Sequence, residues 1–470
     1  MKKNFLLKPL FFLFSLFLIK LLYLLLLDLP LSYDESYYWD WSRNLAWGYY
    51  SKPPMVAWLI KISTGFFGNY EWAVRLPALF SITFTTLFFY LILKKRLPYE
   101  KELLLGLTCL SLIPLLTVYS FIMTIDPPLM LFWTGATYFF INYLETLRVR
   151  HAFLAGLFMG LGLLTKQTML GFIAIAIGYI LWFKRPALKK PVTFLMFGLP
   201  FLMILPNLYW NWINGFVMFK HTEEHFSRTG IELSKGIKTI LETLLLYTPL
   251  ALGFILMALK NLKDEIYKTR DFIYFLGLPS LLFLGLSFMV EINANWILPF
   301  MVSGLIWVVY TPPFPKFITF LRFNLLYGIC FLILALSFGA FFDRFPEFTR
   351  DLLKKFIGWR ELASYVETFY DGKTPIVVSY RDIASSLAFY LKSHPENIYV
   401  VQKHPYPQNQ YHLWRKDSDL SGKEVIFIQK NPIPPKNLRN PVKLGEVRVK
   451  ISQKTYKEFF IWKGIWEKEG

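Results

Sequence analysis

The sequence predicts a polytopic α-helical membrane protein that ends in a soluble α/β domain. The 470 residues are 55% hydrophobic and 19% aromatic, which is too apolar for a water-soluble protein of this length. Apolar runs long enough to cross a bilayer recur through the first 342 residues. Beyond them the composition becomes polar and mixed in charge, with short β-rich runs. We therefore predict a transmembrane domain at 1–342 and a soluble domain at 343–470.

Length and hydropathy predict about eleven spans, within a range of 11–13 because the fifth and tenth apolar runs are short. The first run is too long for a signal peptide and is predicted to be a retained span. Residues 55–67 are too short and too polar for an easy span, and we expect them to lie as a helix in the outer interface. The predicted spans are 5–29, 75–93, 102–120, 128–147, 152–165, 168–183, 192–209, 237–259, 272–290, 296–310 and 323–342.

The formal charge of +19 is explained by topology better than by nucleic-acid binding. Lys and Arg lie mostly in alternate short loops between the apolar runs, which by the positive-inside rule places the N-terminus in the cytoplasm. The opposite loops and the 343–470 domain then lie outside, in the periplasm. Cys109 and Cys330 lie within apolar runs, so no disulfide framework is expected.

In the soluble domain, helices are predicted near 351–370 and 382–392. The predicted β-runs are 375–379, 397–401, 424–428, 445–451 and 459–462.

Acidic residues among aromatic rings follow the first span directly. Asp34 and Glu35 lie among Tyr and Trp side chains that include Tyr37 and Tyr38, and Asp126 lies in a short loop on the same predicted face. Two such acids can take a proton from an acceptor hydroxyl and stabilise positive charge at a sugar carbon. We therefore predict Asp34, Asp126 and Glu35 as catalytic residues, against the alternative that Asp34 only caps a helix.

Cations of the same predicted face complement these acids. Lys52 precedes two prolines, Lys166 ends a short apolar run, and Arg75 opens the second span. Each of them is also suited to a simple headgroup-level anchor. Together with the acids, they are predicted to bind the phosphate of a donor, which requires compact positive charge.

His221 and His225 are four residues apart, a spacing that places two metal ligands on one helix face. The order of residues around them is not that of a zinc-protease helix, so acceptor contact or loop polarity is the preferred interpretation. Tyr37 and Tyr38 join them as predicted acceptor contacts. A divalent metal stays open as a cofactor, and its ligands are unknown. No Gly-rich phosphate loop and no Ser/His/Asp constellation is present in the sequence.

The ordered set of these motifs resembles the polytopic C-type glycosyltransferases. Within them it is most similar to the bacterial aminoarabinose and galacturonic acid transferases of lipid A, which are related to protein O-mannosyltransferases. The motifs are the acidic pair, Lys52-Pro-Pro, Arg75-Leu-Pro, Asp126-Pro and Gly160-Leu-Gly-Leu-Leu-Thr-Lys166. Asn207-Leu-Tyr-Trp-Asn-Trp212, Ala294-Asn-Trp296 and Gln410-Tyr-His-Leu-Trp414 extend the likeness.

This resemblance implies a donor with one sugar joined through phosphate to a polyprenol, and inverting transfer outside the cytoplasm. By position, Asp34 and Asp126 would be the acids of the two outer loops, and Lys52 a donor-phosphate contact. A metal-linked glutamate precedes the lysine in the aminoarabinose transferases, whereas Ser51 stands here. A metal requirement is therefore in doubt.

The expected function is transfer of a sugar to lipid A, lipopolysaccharide core or another glycan at the outer side of a bacterial inner membrane. The expected partners are the lipid-linked donor, a lipid or glycan acceptor and membrane lipids, without nucleic acid. Three alternatives stay open: a protein O-glycosyltransferase with the same donor, a lipid-linked sugar transporter and a membrane scaffold. A transporter predicts acids near the bilayer midplane and repeated halves, and the sequence shows neither.

Overall fold

The computed structural model describes residues 7–97, 99–226, 230–264, 271–310, 317–340, 354–451 and 455–467. Up to residue 340, the regular structure of these ranges is helical. The main helices are α1 (Leu7–Leu26), α2 (Tyr33–Arg43), α3 (Met55–Phe67), α4 (Glu71–Leu93), α5 (Glu100–Ser111), α6 (Pro114–Val118), α7 (Asp126–Thr146), α8 (Val149–Leu163), α9 (Met169–Phe183), α10 (Pro191–Ile213), α11 (Val217–Phe226), α12 (Leu233–Leu246), α13 (Leu250–Asp264), α14 (Phe272–Gly277), α15 (Pro279–Leu286), α16 (Leu298–Tyr310) and α17 (Phe317–Ala340).

Three predicted spans are each broken into two helices. The run 102–120 breaks before Pro114, the run 237–259 before Pro249 and the run 272–290 before Pro279. Proline lacks the N–H that a continuous helix needs, and its ring clashes with the carbonyl four residues earlier. At the second break the chain bends by 116°, and Thr248 adopts a positive φ of 68°. The apolar runs alone did not indicate these breaks, because hydropathy does not register proline.

Three helices are long and apolar enough to cross a membrane: Lys8–Leu26, Glu71–Leu93 and Pro191–Ile213. The bent pair α12 and α13 makes a fourth candidate if it counts as one span. These numbers refer to the described ranges and to length and composition only. The predicted eleven spans and their orientation therefore stay predictions. The helix predicted at 55–67 is confirmed as α3, with its place in the interface untested.

The C-terminal part forms a mixed five-stranded sheet in the order β2-β1-β3-β5-β4. The three helices α18 (Trp359–Val366), α19 (Arg381–Tyr390) and α20 (Gln410–Trp414) accompany it. β1 pairs in parallel with β2 and β3, and β5 is antiparallel to β3 and β4. All five predicted β-runs are confirmed, with the bounds β1 (Ile376–Val378), β2 (Ile398–Val400), β3 (Glu424–Gln429), β4 (Leu438–Lys450) and β5 (Tyr456–Trp466).

One hydrophobic core is shared between the helical part and the sheet. Trp39 and Trp41 of α2 belong to the same buried cluster as Ile383 and Leu387 of α19 and Ile428 of β3. The ring of Trp39 packs edge-on against Phe389, with centroids 4.9 Å apart. Because apolar burial is the main stabilising contribution to folding, the sheet and α2 form one packed unit. The predicted boundary at 342/343 lies outside the described residues.

Candidate active site

Glu35 and Arg75 form a buried ion pair that fixes the start of α2. Glu35 completes a capping box with Ser32, whose backbone N–H donates to Oε2 over 2.9 Å. Arg75 donates to Glu35 from Nε over 2.9 Å and from Nη2 over 3.1 Å, and the Met123 backbone N–H adds a bond of 3.0 Å. The remaining Arg75 donors bind the carbonyls of Leu29 and Pro30. Both side chains are at most 1% exposed, so the pair joins α2 to α4 and to the loop before α7.

Asp34 contacts the sheet domain instead. Its Oδ1 accepts a hydrogen bond of 3.0 Å from Nη2 of Arg381, the first residue of α19. The same guanidinium lies 4.8 Å from the Tyr37 ring and 5.7 Å from the Tyr33 ring. The Asp34 side chain keeps 30% of its surface exposed, so it can also reach a substrate. The aromatic rings thus position the guanidinium, and the guanidinium orients the carboxylate.

Asp126 begins α7 and is 2% exposed. Its Oδ1 accepts a bond of 2.9 Å from Lys166 Nζ. Its Oδ2 accepts bonds from the Tyr119 hydroxyl over 3.1 Å and from Asn295 Nδ2 over 3.0 Å. Both carboxylate oxygens therefore have hydrogen-bond donors, and Asp126 holds Lys166 in place.

Lys52 is the cation of this site whose ammonium forms no hydrogen bond or ion pair with any residue that the structure describes. Burial is the largest cause that lowers its pKa from 10.5 to about 8. Lys166 and Arg381 lower this pKa further, whereas Asp126 and Asp34 raise it. The predicted residues Asp34, Lys52, Asp126 and Lys166 therefore share one electrostatic environment.

Two predicted aromatic residues take different positions. The Tyr37 hydroxyl accepts a bond of 2.5 Å from the Gln410 backbone N–H, and its ring stacks on Tyr411. Burial raises the pKa of Tyr38, and the nearby carboxylates of Asp34 and Asp126 raise it further. Tyr38 thus lies near both acids, while Tyr37 connects α2 to α20.

His221 lies in a neighbouring cleft of about 520 Å³. Its ring centroid is 5.1 Å from that of Tyr50, whose backbone N–H binds the side chain of Gln410. Tyr406 and Pro407 of the sheet domain line the same cleft. The His225 side chain lies outside the described part of the structure, so the predicted histidine pair stays a prediction. Within the described ranges, no group of three His, Cys, Asp or Glu side chains is placed to hold a metal.

Sequence reasoning missed Arg381 and the roles of Tyr119 and Asn295. Asn295 lies within the Glu291–Trp296 stretch, whose polar residues between apolar runs were a usable signal. Arg381 begins an ordinary amphipathic helix 347 residues after Asp34. No local pattern of the sequence points from one of these residues to the other.

The sequence was compared with family models and with known proteins. Residues 51–210 match the family model described as dolichyl-phosphate-mannose-protein mannosyltransferase, a range that contains Lys52, Asp126 and Lys166. The chain is 27% identical over 409 residues to the lipid A galacturonosyltransferase RgtD of Rhizobium johnstonii. This alignment covers 84% of this chain and 85% of RgtD. The resemblance predicted from the sequence is confirmed. The chain is a glycosyltransferase.

Solved structures share the fold of this glycosyltransferase. The structure of ArnT from Cupriavidus metallidurans in the apo state matches with a TM-score of 0.65 at 14% identity, over 97% of this chain and 98% of that one. ArnT bound to undecaprenyl phosphate matches with a TM-score of 0.63 at 13% identity, over the same shares. The archaeal oligosaccharyltransferase AglB from Archaeoglobus fulgidus matches at 0.51 and 12% identity, over 83% of this chain and 64% of that one. The match to ArnT includes the sheet domain, and the enzyme is a membrane protein.

Proposed function

We propose that this glycosyltransferase moves a single sugar from a polyprenyl-phosphate donor to a lipid acceptor of the cell envelope, with inversion at the sugar carbon. The observation that carries the proposal is the buried ammonium of Lys52, which has no hydrogen-bond or ion-pair partner among the described residues and lies within electrostatic reach of the Asp34–Arg381 and Asp126–Lys166 pairs. An ammonium that has lost water without gaining a partner favours an anionic ligand. The relatives support the lipid classes, since RgtD is a lipid A transferase and ArnT was solved with undecaprenyl phosphate.

Lys52 is proposed to bind the donor phosphate, with Lys166 beside it. Three cations and two carboxylates meet in the site, so the two ion pairs leave one positive charge for the phosphate. Positive charge already in place stabilises the negative charge that grows on the phosphate as the sugar–oxygen bond breaks. The leaving group is then the polyprenyl phosphate.

Asp34 is proposed as the general base. It is the partly exposed acid of the two, whereas both oxygens of Asp126 are occupied. Asp34 takes the proton of an acceptor hydroxyl while that oxygen attacks the sugar carbon on the face opposite the phosphate. If the acceptor group is itself an ionised phosphate, Asp34 and Arg381 orient it instead.

Glu35 and Arg75 are proposed to be positioning residues, in place of the catalytic and phosphate-binding roles that the sequence predicted for them. The Glu35 carboxylate accepts bonds from Arg75, Ser32 and Met123, and Arg75 also binds two carbonyls. Neither is free to bind substrate without leaving its partner buried and unpaired.

The site is proposed to face the periplasm, with the N-terminus in the cytoplasm and the sheet domain at 343–470 in the periplasm, packed against α2. The basic loops on alternate sides of the predicted spans support this orientation. It agrees with a donor that presents its sugar outside the cytoplasm.

The test is transfer of a radiolabelled sugar from polyprenyl phosphate by the purified enzyme in liposomes that contain lipid A. Asp34→Asn should retain the fold and lose at least about 100-fold in rate, the range for removal of a general base. Asp419→Asn is the control, because Asp419 is an exposed acid of the sheet domain. Undiminished transfer by a folded Asp34→Asn enzyme would refute the assignment.

The location of the label separates the competing functions. Label in the lipid fraction supports the proposal, label in added envelope protein supports a protein O-glycosyltransferase, and label that crosses the membrane unchanged supports a transporter. Mass spectrometry of envelope lipids with and without the gene then identifies the sugar and the acceptor.

A further inference from the structure

We propose that a basic surface of the C-terminal domain binds the anionic headgroup of the lipid acceptor and so delivers that acceptor to Asp34. This inference rests on the proposed function, since it assigns the acceptor a docking surface beside the donor site. The basic surface is defined by five cations: Lys354, Lys355, Arg381, Lys403 and Lys430.

Two aromatic rings are each flanked by a pair of these cations. The Tyr33 ring lies 5.7 Å from the Arg381 guanidinium and 5.8 Å from the Lys355 ammonium. The Tyr380 ring, half exposed, lies 5.5 Å from Lys403 and 5.3 Å from Lys430. These cation–π contacts hold the positively charged groups beside the rings at the protein surface. A headgroup that has sugar rings and anionic groups can contact the aromatic rings and the cations together.

The acids nearby neutralise this surface only in part. Asp382 accepts a bond of 2.6 Å from Lys430, and Glu361 lies within electrostatic reach of Lys457. Burial is the largest cause that lowers the pKa of Lys457 to about 7; Asp382 raises this pKa, while Lys430 and Lys354 lower it. Lys457 itself faces inward, since its ammonium donates a bond of 2.7 Å to the Ile357 carbonyl and lies 3.8 Å from the centre of the Trp359 ring. The exposed Lys354, Lys355, Lys403 and Lys430 therefore provide the charge of the surface.

The surface leads directly to the proposed base. Arg381 belongs to the surface and also binds Asp34 over 3.0 Å, and Tyr33 precedes Asp34 in the chain. Lys52, the proposed donor-phosphate contact, belongs to the loop between α2 and α3 and lies within electrostatic reach of Arg381, so the basic surface borders the donor site. A headgroup on Lys355, Lys403 and Lys430 reaches Asp34 from the sheet-domain side, while Lys52 and Lys166 bind the donor.

Several cations spread over two aromatic rings suit a large, multiply charged headgroup better than a free phosphate ion. Clusters of basic residues next to a membrane recognise anionic lipid headgroups, and each Lys or Arg adds to binding. A glycolipid acceptor with phosphate groups has that chemistry.

Native mass spectrometry of the full-length enzyme in detergent tests this surface. The probes are lipid A with two phosphates, the same lipid after phosphatase treatment, phosphatidylglycerol and undecaprenyl phosphate. The test variant is Lys355→Gln/Lys403→Gln/Lys430→Gln, which spares Arg381. The matched control replaces Lys373, Lys423 and Lys436, three exposed lysines of the same domain, with Gln.

The test variant should bind phosphorylated lipid A at least about tenfold more weakly than the wild type, while the control variant binds it normally. The dephosphorylated lipid should bind the wild type as weakly as the phosphorylated lipid binds the test variant. The proposal is overturned if the test and control variants lose lipid A binding equally, or if neither variant loses it. The proposal is also overturned if the wild type binds phosphatidylglycerol as tightly as phosphorylated lipid A and the test variant loses both lipids equally, since the surface would then recognise bulk phospholipid.

Undecaprenyl phosphate separates this inference from the proposed function. The test variant should bind this lipid as the wild type does, because Lys52 and Lys166 are unchanged. If the wild type neither binds undecaprenyl phosphate nor transfers sugar, the proposed function fails, and the lipid A comparison still decides whether the basic surface exists.

Discussion

The charge of a single residue, Lys52, should set the alkaline limit of activity. Burial and the neighbouring Lys166 and Arg381 lower its pKa to about 8, against the opposing effect of Asp126 and Asp34. The ammonium is therefore almost fully protonated at about one pH unit below 8, half protonated near pH 8 and lost as the pH rises further. We expect kcat/KM for the donor to fall about tenfold per pH unit above 8, since this parameter reports the free enzyme. Steady-state rates between pH 6 and 10 measure it.

A Lys52→Arg enzyme tests the assignment of that limit. Arginine stays protonated throughout this range, so its alkaline limb should shift upward or disappear even if the overall rate is lower. Lys61→Arg is the control, because Lys61 is an exposed lysine of α3. An unchanged limb in Lys52→Arg would assign the titration to a different group.

Arg75→Met should destabilise the enzyme more than it impairs donor binding. The change leaves the fully buried Glu35 carboxylate without its ion pair, which costs about 3–5 kcal/mol. The double variant Glu35→Gln/Arg75→Met should recover part of this loss. Thermal unfolding followed by tryptophan fluorescence ranks the stability of the wild type, the Arg75→Met variant and the double variant.

The exposed pair of Lys95 and Glu145 provides the comparison for Arg75. Lys95→Met should cost less than about 1 kcal/mol, as is usual for surface ion pairs. A stable Arg75→Met enzyme with only a raised KM for donor would instead restore the phosphate-binding role predicted from the sequence.

For the individual residues, the sequence predicted which acids and cations lie near one another, but not which acid pairs with which cation. Asp34, Lys52, Asp126 and Lys166 were found because each stands beside an apolar run or a proline in the same ordered set. The choice between Asp34 and Glu35 depends on which carboxylate faces Arg75 and which faces Arg381. That choice follows from helix rotation and from long-range contacts, which no local pattern encodes.

Among the elements, the short 3₁₀ turn Ala294–Trp296 should influence the rate through Asp126. Tyr247, the residue after α12, donates a bond of 2.6 Å to the Ala294 carbonyl. The next residue of the turn, Asn295, binds Asp126. Tyr247→Phe removes that bond and loosens the turn, at a cost of about 1 kcal/mol. We expect kcat to fall several-fold with donor KM nearly unchanged.

Tyr327→Phe is the matched control for Tyr247, since its hydroxyl also binds a helix carbonyl, that of Leu245. Single-turnover rates of the two variants should therefore differ. If both lose the same activity, Tyr247 acts only on stability.

Helix breaks limited what the sequence could predict about elements. Apolar runs located the helices, and β-rich runs located all five strands. The bend before Pro249 was missed, although proline and the preceding threonine were visible in the sequence. This bend places Tyr247 beside the Ala294 turn, so a feature that hydropathy ignores helps to build the site.

For the whole molecule, the predicted soluble domain shares its core with the membrane part. A sequence with mixed charge and its own strands indicates an independent domain, and the prediction of a separate unit rested on that pattern. The packing of Trp39 against Phe389 and the bond from Arg381 to Asp34 depend on residues about 350 positions apart. We infer that docking of the sheet domain completes the active site.

Apolar packing, more than ion pairs, should hold this docked arrangement. Phe389 is 5% exposed and lies on α19, the helix that begins with Arg381. Phe389→Ala should cost about 3–5 kcal/mol and lower the transfer rate by displacing Arg381. Glu71→Gln weakens the contact with Arg360, which is 38% exposed and also pairs with Asp28, and the bond that Glu71 accepts from the Tyr390 hydroxyl; it should cost about 1–2 kcal/mol, less than Phe389→Ala.

Thermal unfolding and transfer rates of these two variants decide between apolar and ionic docking. If Phe389→Ala loses activity while Asp34 and Lys52 are unchanged, the sheet domain contributes to catalysis through its position on α2. A larger loss of stability in Glu71→Gln than in Phe389→Ala would show that the polar contacts between α4 and α18 hold the two parts together. The position of Arg381 over Asp34 would then depend on ionic strength, because salt screens partly exposed ion pairs.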